Sequence, residues 1–171
     1  MAKPESSRPN FLRAWWPALV WIGLISIEST DALSSNNTGD VLYKLLSRFF
    51  PHINLYRVLE LNFILRKTGH VIGYGILSLL LLRGWRRTLV RARATLGRAT
   101  VGLVTFGRTA LLALLGTAFV ASMDEWHQSY IPSRTGTWHD VALDSTAALV
   151  FLSAAYFWMR RRTVAEHASQ H

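Results

Sequence analysis

The sequence predicts an all-α integral membrane protein: a four-helix bundle with both termini cytoplasmic and a short interfacial helix on the outer side. Three observations lead there. Half of the 171 residues are hydrophobic, and they gather into four blocks, Ala14–Ile27, Ile64–Leu82, Thr109–Met123 and Val141–Met159. The basic residues fall in the gaps between blocks rather than along one face of a helix. With the N-terminus inside, 13 of the 19 Lys and Arg are cytoplasmic, as the positive-inside rule favours. The acids run the other way: Glu28, Asp31, Asp40, Glu60, Asp124, Glu125, Asp140 and Asp144 all lie at or beyond the outer boundary.

Only the second and fourth blocks reach the roughly 18–20 residues of a membrane span. Phe11 and Leu12 extend the first, and Trp126 extends the third, which Arg108 interrupts at its start. A net charge of +9 would also suit a nucleic-acid binder. The placement of the Arg residues and the lack of a nucleic-acid motif exclude that class and leave the lipid bilayer as the partner. Location in the inner (cytoplasmic) membrane, as a multi-pass protein, follows. Cysteine is absent, which rules out disulfides, thiol catalysis and thiolate metal sites. Nothing after Ser26-Ile27-Glu28 reads as a cleavage site, so the first block is an anchor and not a removed signal peptide.

Residues 1–13 are polar and basic, with Pro4 and Pro9, and read as a disordered cytoplasmic tail. The membrane domain spans residues 14–159. Its first helix carries Trp15, Trp16 and Trp21 towards the cytoplasmic side, where aromatic residues anchor at headgroup depth. The run Ser34–Asp40 is loop chemistry. Val41, Leu42, Leu45, Leu46, Phe49 and Phe50 then repeat at helical spacing opposite Lys44 and Arg48, the pattern of a surface helix ended by Pro51. The second span runs from about Phe63 to Leu82. Residues 83–108 form a basic cytoplasmic connection suited to anionic lipid. The third span ends at Trp126, and a tight outer hairpin, Tyr130–Gly136, leads into the fourth. Residues 160–171 form a basic and polar cytoplasmic tail.

The candidate site residues sit at the outer ends of the spans. Lys67, His70 and Tyr74 share one stripe of a helix, within about 60° of one another. A single Lys there would snorkel, but the trio needs polar partners away from lipid. Asp124 and Gln128 lie one turn apart on one face, with Glu125 rotated by about 100°. A solvated helix end is the lesser alternative for both acids. Asp140 complements the positive end of the last helix. Asp144 lies deeper, in an apolar run, and the helix terminus does not explain it. Arg134 has the planar fork that clamps phosphate or carboxylate, or pairs with a neighbouring acid. Together these groups can perform acid–base chemistry on a clamped anion. Mixed His and carboxylate ligands also suit a divalent cation, but no fixed-spacing ligand motif occurs, so no metal ligand and no cofactor are assigned.

At these residues the chain resembles the VanZ-like family of small bacterial membrane proteins. The shared blocks are Lys67-Thr68-Gly69-His70 with Tyr74 and Leu77, Asp124-Glu125-Trp126-His127-Gln128, Pro132-Ser133-Arg134, and Asp140 with its helix. The resemblance covers roughly residues 15–159. It implies a helical integral membrane protein, and the family's namesake is associated with teicoplanin resistance. The chain departs from the usual pattern at Arg66, where the family has an acid, at Asp144 in place of Asn, and at Ala147 in place of Gly.

The expected function is acid–base chemistry at the outer leaflet on an anionic, polyprenyl-phosphate-linked or other lipid-linked envelope intermediate. His70 would move the proton, helped by Asp124 or Glu125. Lys67 and Arg134 would hold the anion, Tyr74 and Gln128 would orient it, and the acids Asp140 and Asp144 would tune His70 and Lys67. A ligand-binding or transport protein of the envelope is the alternative, linked to glycopeptide resistance. A cluster that merely glues the bundle is a third reading.

Overall fold

The computed structural model describes residues 11–95, 103–134 and 136–168. Among these residues every regular element is helical: α1 (Phe11–Glu28), a 3-10 turn (Asp31–Leu33), α2 (Ser35–Phe49), α3 (Leu55–Thr95), α4 (Leu103–Gln128) and α5 (Trp138–Ala168). The all-α expectation is met. Residues 1–10 of the predicted tail lie outside the described residues, while 11–13 form the first turn of α1.

Three boundaries differ from the sequence reading, each for a local reason. The polar run after Ser34 is helix, not loop, because the Ser34 side chain caps α2 by accepting from the Asn37 N–H. Its Ser and Asn residues are cap chemistry as much as turn chemistry. Helix α3 absorbs the second block together with flanking stretches read as connections. At 41 residues it is about 60 Å long, twice the apolar thickness of a bilayer. No proline falls between Pro51 and Pro132 to stop it earlier. Helix α5 likewise continues beyond Arg162 to Ala168.

Among the described residues, three helices are long and apolar enough to cross a membrane: α1, Phe106–Gln128 of α4, and Trp138–Arg162 of α5. The fourth block keeps its place as a span, but the other three depart from the ranking by block length. The short third block qualifies once its flanks are helical, while α3 falls outside the three because Arg66, Lys67 and His70 interrupt its apolar run.

Helix α3 packs against α1, α2, α4 and α5, and α4 packs against α5. Side-chain pairs set the directions. Along α3 and α5, Lys67 meets Asp140, His70 meets Asp144, and Arg86 meets Met159, so these helices run parallel. Along α1, Trp21 reaches Gly73 and Trp15 reaches Thr88, so α1 runs antiparallel to α3. These two indole N–H groups donate within the protein, which makes both residues packing residues and not interfacial anchors alone. Tyr74 meets Asp124, while Gly116 sits beside Leu81, so α4 is also antiparallel to α3.

Close approach of α3 and α5 depends on Gly75, where an added Cβ would stand 2.7 Å from the Phe151 ring. Small residues at such crossings let helices pack where no hydrophobic drive brings them together. The core is correspondingly fine-grained: Ala18, Ala113, Ala121 and Ala148 with Leu77, Leu81 and Leu152. The outer faces are the reverse. Leu19, Leu24, Leu111, Leu115, Phe119, Val150 and Phe157 are all more than half exposed, far more apolar surface than a water-soluble monomer presents. Helix α2 also exposes Val41, Leu45 and Phe49, while among its residues only Gly39 is buried, against Leu59 and Asn62 of α3.

Candidate functional site

The antiparallel and parallel registers bring the C-terminal ends of α1 and α4, the first half of α3 and the start of α5 to one end of the molecule. Every candidate residue from the sequence lies there.

Three polar contacts connect the helices. At the rim, Lys67 Nζ pairs with Asp140 Oδ1, with the Lys side chain about one-third exposed. One turn deeper on both helices, His70 Nδ1 lies 3.3 Å from Asp144 Oδ2. Asp144 has no solvent exposure, which answers why an acid stands in an apolar run: its partner is on α3. Deeper still on α3, the Tyr74 hydroxyl donates to Asp124 Oδ2 at 2.9 Å, and Gln128 Nε2 donates to the same oxygen at 3.0 Å. The His70 and Tyr74 rings stack, with centroids 5.9 Å apart.

Glu125 belongs to this layer. Its Oε2 accepts from the Thr137 N–H at 2.7 Å and so holds the start of α5 against the end of α4. Gly136 is required beside it, since a Cβ there would collide with the Glu125 carbonyl oxygen. The other Glu125 oxygen, Oε1, is buried with no hydrogen-bond partner, as is Asp144 Oδ1. His70, Glu125 and Asp144 each present one ligand-type atom, and these three atoms lie within 4.8 Å of one another.

Arg134 has a different surrounding from the acids considered for it. Its Nη2 donates to the backbone carbonyls of Glu28, Thr30 and Leu33 at 2.6–2.9 Å. A helix end leaves carbonyls without intrahelical partners, and one buried guanidinium closes the end of α1. Arg66 also donates to the Leu33 carbonyl, at the end of the 3-10 turn, at 2.7 Å. Burial first, and repulsion from Arg66 second, hold the Arg134 pKa below its ordinary value, against the pull of Asp124, Glu28 and Asp31. Ser133 adds a hydrogen bond to Asp31, so the α4–α5 hairpin is fastened to the end of α1.

The structure adds site residues that the sequence reading left out. A small cavity of about 10 Å³ is lined by His70, Tyr74, Asp124, Gln128 and Arg134, and also by Glu28 and Ser29 of α1. That is space for about one water. Ser29 Oγ and Arg134 Nε are buried without partners and both line it, so one water there would find polar contacts. Glu28 reads in the sequence as an outer-boundary acid; it is exposed, and the α1–α3 register places it beside Gly69 at the edge of the cavity. A larger cavity of about 300 Å³ is apolar, between Phe106, Leu114, Leu152 and Tyr156. It is at the other end: Leu114 precedes Asp124 by ten residues, about 15 Å of helix.

A family model described as VanZ/LLP1 matches residues 14–159. The chain belongs to this family. The matched segment contains every polar residue of the site, and α1, α4 and α5, which pack around α3, are long and apolar enough to cross a membrane. No curated protein and no solved structure matches the chain.

Proposed function

We propose that this VanZ/LLP1-family protein crosses the cytoplasmic membrane four times, through α1, α3, α4 and α5, with both termini inside. In this reading α2 lies on the outer surface, and the polar end of the bundle faces outward. There it acts by acid–base chemistry on an anionic, lipid-linked envelope intermediate. The orientation rests on the basic residues at the opposite end from the acids, and the fourth span on the packing of α3 among the other three.

The observation that carries the chemistry is the buried pair of His70 and Asp144, set beside a cavity sized for a water. An imidazole held by a carboxylate from a second helix has a fixed tautomer and direction, which a proton-transfer group needs. Asp144, rather than Asp124 or Glu125, is the acid that orients it. Asp124 instead collects Tyr74 and Gln128 and fixes the cavity wall. Among the two cations, Lys67 at the rim is the one that reaches both its acid and solvent, so it attracts the anionic headgroup. Arg134 is engaged by three carbonyls and serves as positioning support. The cavity takes a water and not a headgroup, so the lipid-linked substrate sits at the outer mouth, with the reacting bond reached through that water.

The transport alternative needs a polar route onward to the cytoplasmic side. Among the described residues the buried hydroxyls further along, Ser78, Thr109 and Thr117, donate to carbonyls of their own helices, at 2.7–2.9 Å. These bonds stay within single helices and build no path.

Reconstitution into vesicles containing polyprenyl-phosphate-linked intermediates tests the proposal. Wild-type protein changes the lipid pool with time and the His70→Ala variant does not. Identical pools for the two would refute the acid–base reading. A change in teicoplanin sensitivity on deletion tests the link suggested by the family's namesake.

A further inference from the structure

Two buried carboxylate oxygens without partners, Glu125 Oε1 and Asp144 Oδ1, stand in the same layer as a histidine. Each is costly as it stands. A buried carboxylate oxygen without a donor forfeits its hydration with nothing in return, and two nearby carboxylates repel. Among the described residues no Lys or Arg serves them: Lys67 is on Asp140, and the Arg134 Nη2 is on three carbonyls. Two acids and an imidazole, drawn from α3, α4 and α5 into one dry layer, have the composition of a cation site.

We infer that His70, Glu125 and Asp144 bind a first-row divalent transition-metal ion, of the zinc or manganese type, at the outer end of the bundle. The donor set decides the class. One imidazole nitrogen with two carboxylate oxygens suits these ions, whereas Ca²⁺ takes six to eight oxygens and Mg²⁺ keeps most of its water. Geometry agrees. Two ligands at about 2.0–2.1 Å from one tetrahedral centre stand about 3.3 Å apart, and His70 Nδ1 and Asp144 Oδ2 are 3.3 Å apart. The same separation is long for a charge-assisted hydrogen bond, about 2.7–2.9 Å. In the same tetrahedral arrangement every pair of ligands stands about 3.3–3.4 Å apart, so the widest spacing in the trio, up to 4.8 Å, has to close by about 1.4 Å on binding. Rotation of the side chains draws the three atoms together, and Glu125 Oε1 and Asp144 Oδ1 have no hydrogen bond to give up in doing so. Three protein ligands leave one position open, the arrangement of catalytic rather than structural sites. The water-sized cavity beside His70 adjoins it.

Metal binding is read without substrate, so it is tested apart from the acid–base proposal; with the ion bound, His70 Nδ1 and Asp144 Oδ2 coordinate it in place of their hydrogen bond. Full-length protein in detergent or nanodiscs is stripped with chelator and titrated with Mn²⁺ followed by electron paramagnetic resonance, with Co²⁺ followed by visible absorption, and with Mg²⁺ as control. One Mn²⁺ or Co²⁺ per chain is expected, with tetrahedral-type Co²⁺ bands. Glu125→Gln and Asp144→Asn each weaken binding by at least about tenfold, and His127→Ala, a histidine on the exposed side of α4, leaves it unchanged. Glu125→Gln keeps an acceptor for the Thr137 N–H, so it reports on binding even where Asp144→Asn reduces folding. Absence of stoichiometric binding, binding indifferent to both carboxylate variants, or binding lost with His127→Ala overturns the inference.

Discussion

Removing His70 measures what the buried pair is worth. An ordinary hydrogen bond between membrane helices contributes about 0.6 kcal/mol on average. Breaking a buried ion pair by deleting one partner costs about 3–5 kcal/mol, because the charge left behind is uncompensated. The surroundings of Asp144 select between these values. Its side chain has no solvent exposure, Oδ1 already lacks a partner, and Oδ2 has only His70 among the described residues. His70→Ala therefore costs about 3 kcal/mol, the lower end of the range, since the space vacated beside an existing water-sized cavity admits solvent. Asp144→Asn keeps an oxygen for His70 and costs about 1 kcal/mol or less. The double variant His70→Ala with Asp144→Leu removes the stranded charge and regains most of the loss, giving a strongly non-additive cycle. The assay is denaturant unfolding in micelles followed by circular dichroism, with chelator present. A His70→Ala cost near 0.6 kcal/mol, or additive single variants, would show that the pair is ordinary polar glue.

Other consequences are equally direct. Gly136→Ala drives a methyl group into the Glu125 carbonyl, so it lowers stability by about 1–3 kcal/mol in the same unfolding assay and loosens the hairpin. Gly75→Ala costs a similar amount by crowding Phe151, and Phe151→Leu beside it recovers part of the loss. Arg134→Lys destabilises nearly as much as Arg134→Ala, because an ammonium cannot reproduce the fork that serves three carbonyls; thermal unfolding compares the two. Since the chain has no cysteine, single-cysteine variants report topology cleanly: Asn36→Cys is labelled by an impermeant maleimide from outside, and Arg87→Cys only after permeabilisation.

Much of this site was legible before any coordinates, because a period of 3.6 residues already places Lys67, His70 and Tyr74 on one stripe. The membrane setting makes polar partners for such a stripe obligatory. What the stripe cannot give is which acid each group meets. That depends on the axial register between helices, set by close contacts such as Gly75 against Phe151, and no one-dimensional pattern encodes it. Hence His70 meets Asp144 and not Asp124 or Glu125. Arg134 was read as a charge for an anion because its chemistry allows that. Its actual partners are carbonyls, exposed by the end of α1 about a hundred residues earlier in the chain. The extent of α3 was missed because hydropathy marks where a helix meets lipid, not where it stops.

The central claim is that the polar layer serves chemistry and not cohesion of the helices. Asp144→Asn tests it most directly, since the amide keeps the shape and an oxygen for His70 while removing the charge. Unfolding stability and turnover of the lipid-linked substrate are measured on one preparation. Stability lowered by about 1 kcal/mol or less, with turnover abolished, is the predicted result. Full turnover, or turnover lost only in proportion to folded protein, would contradict it.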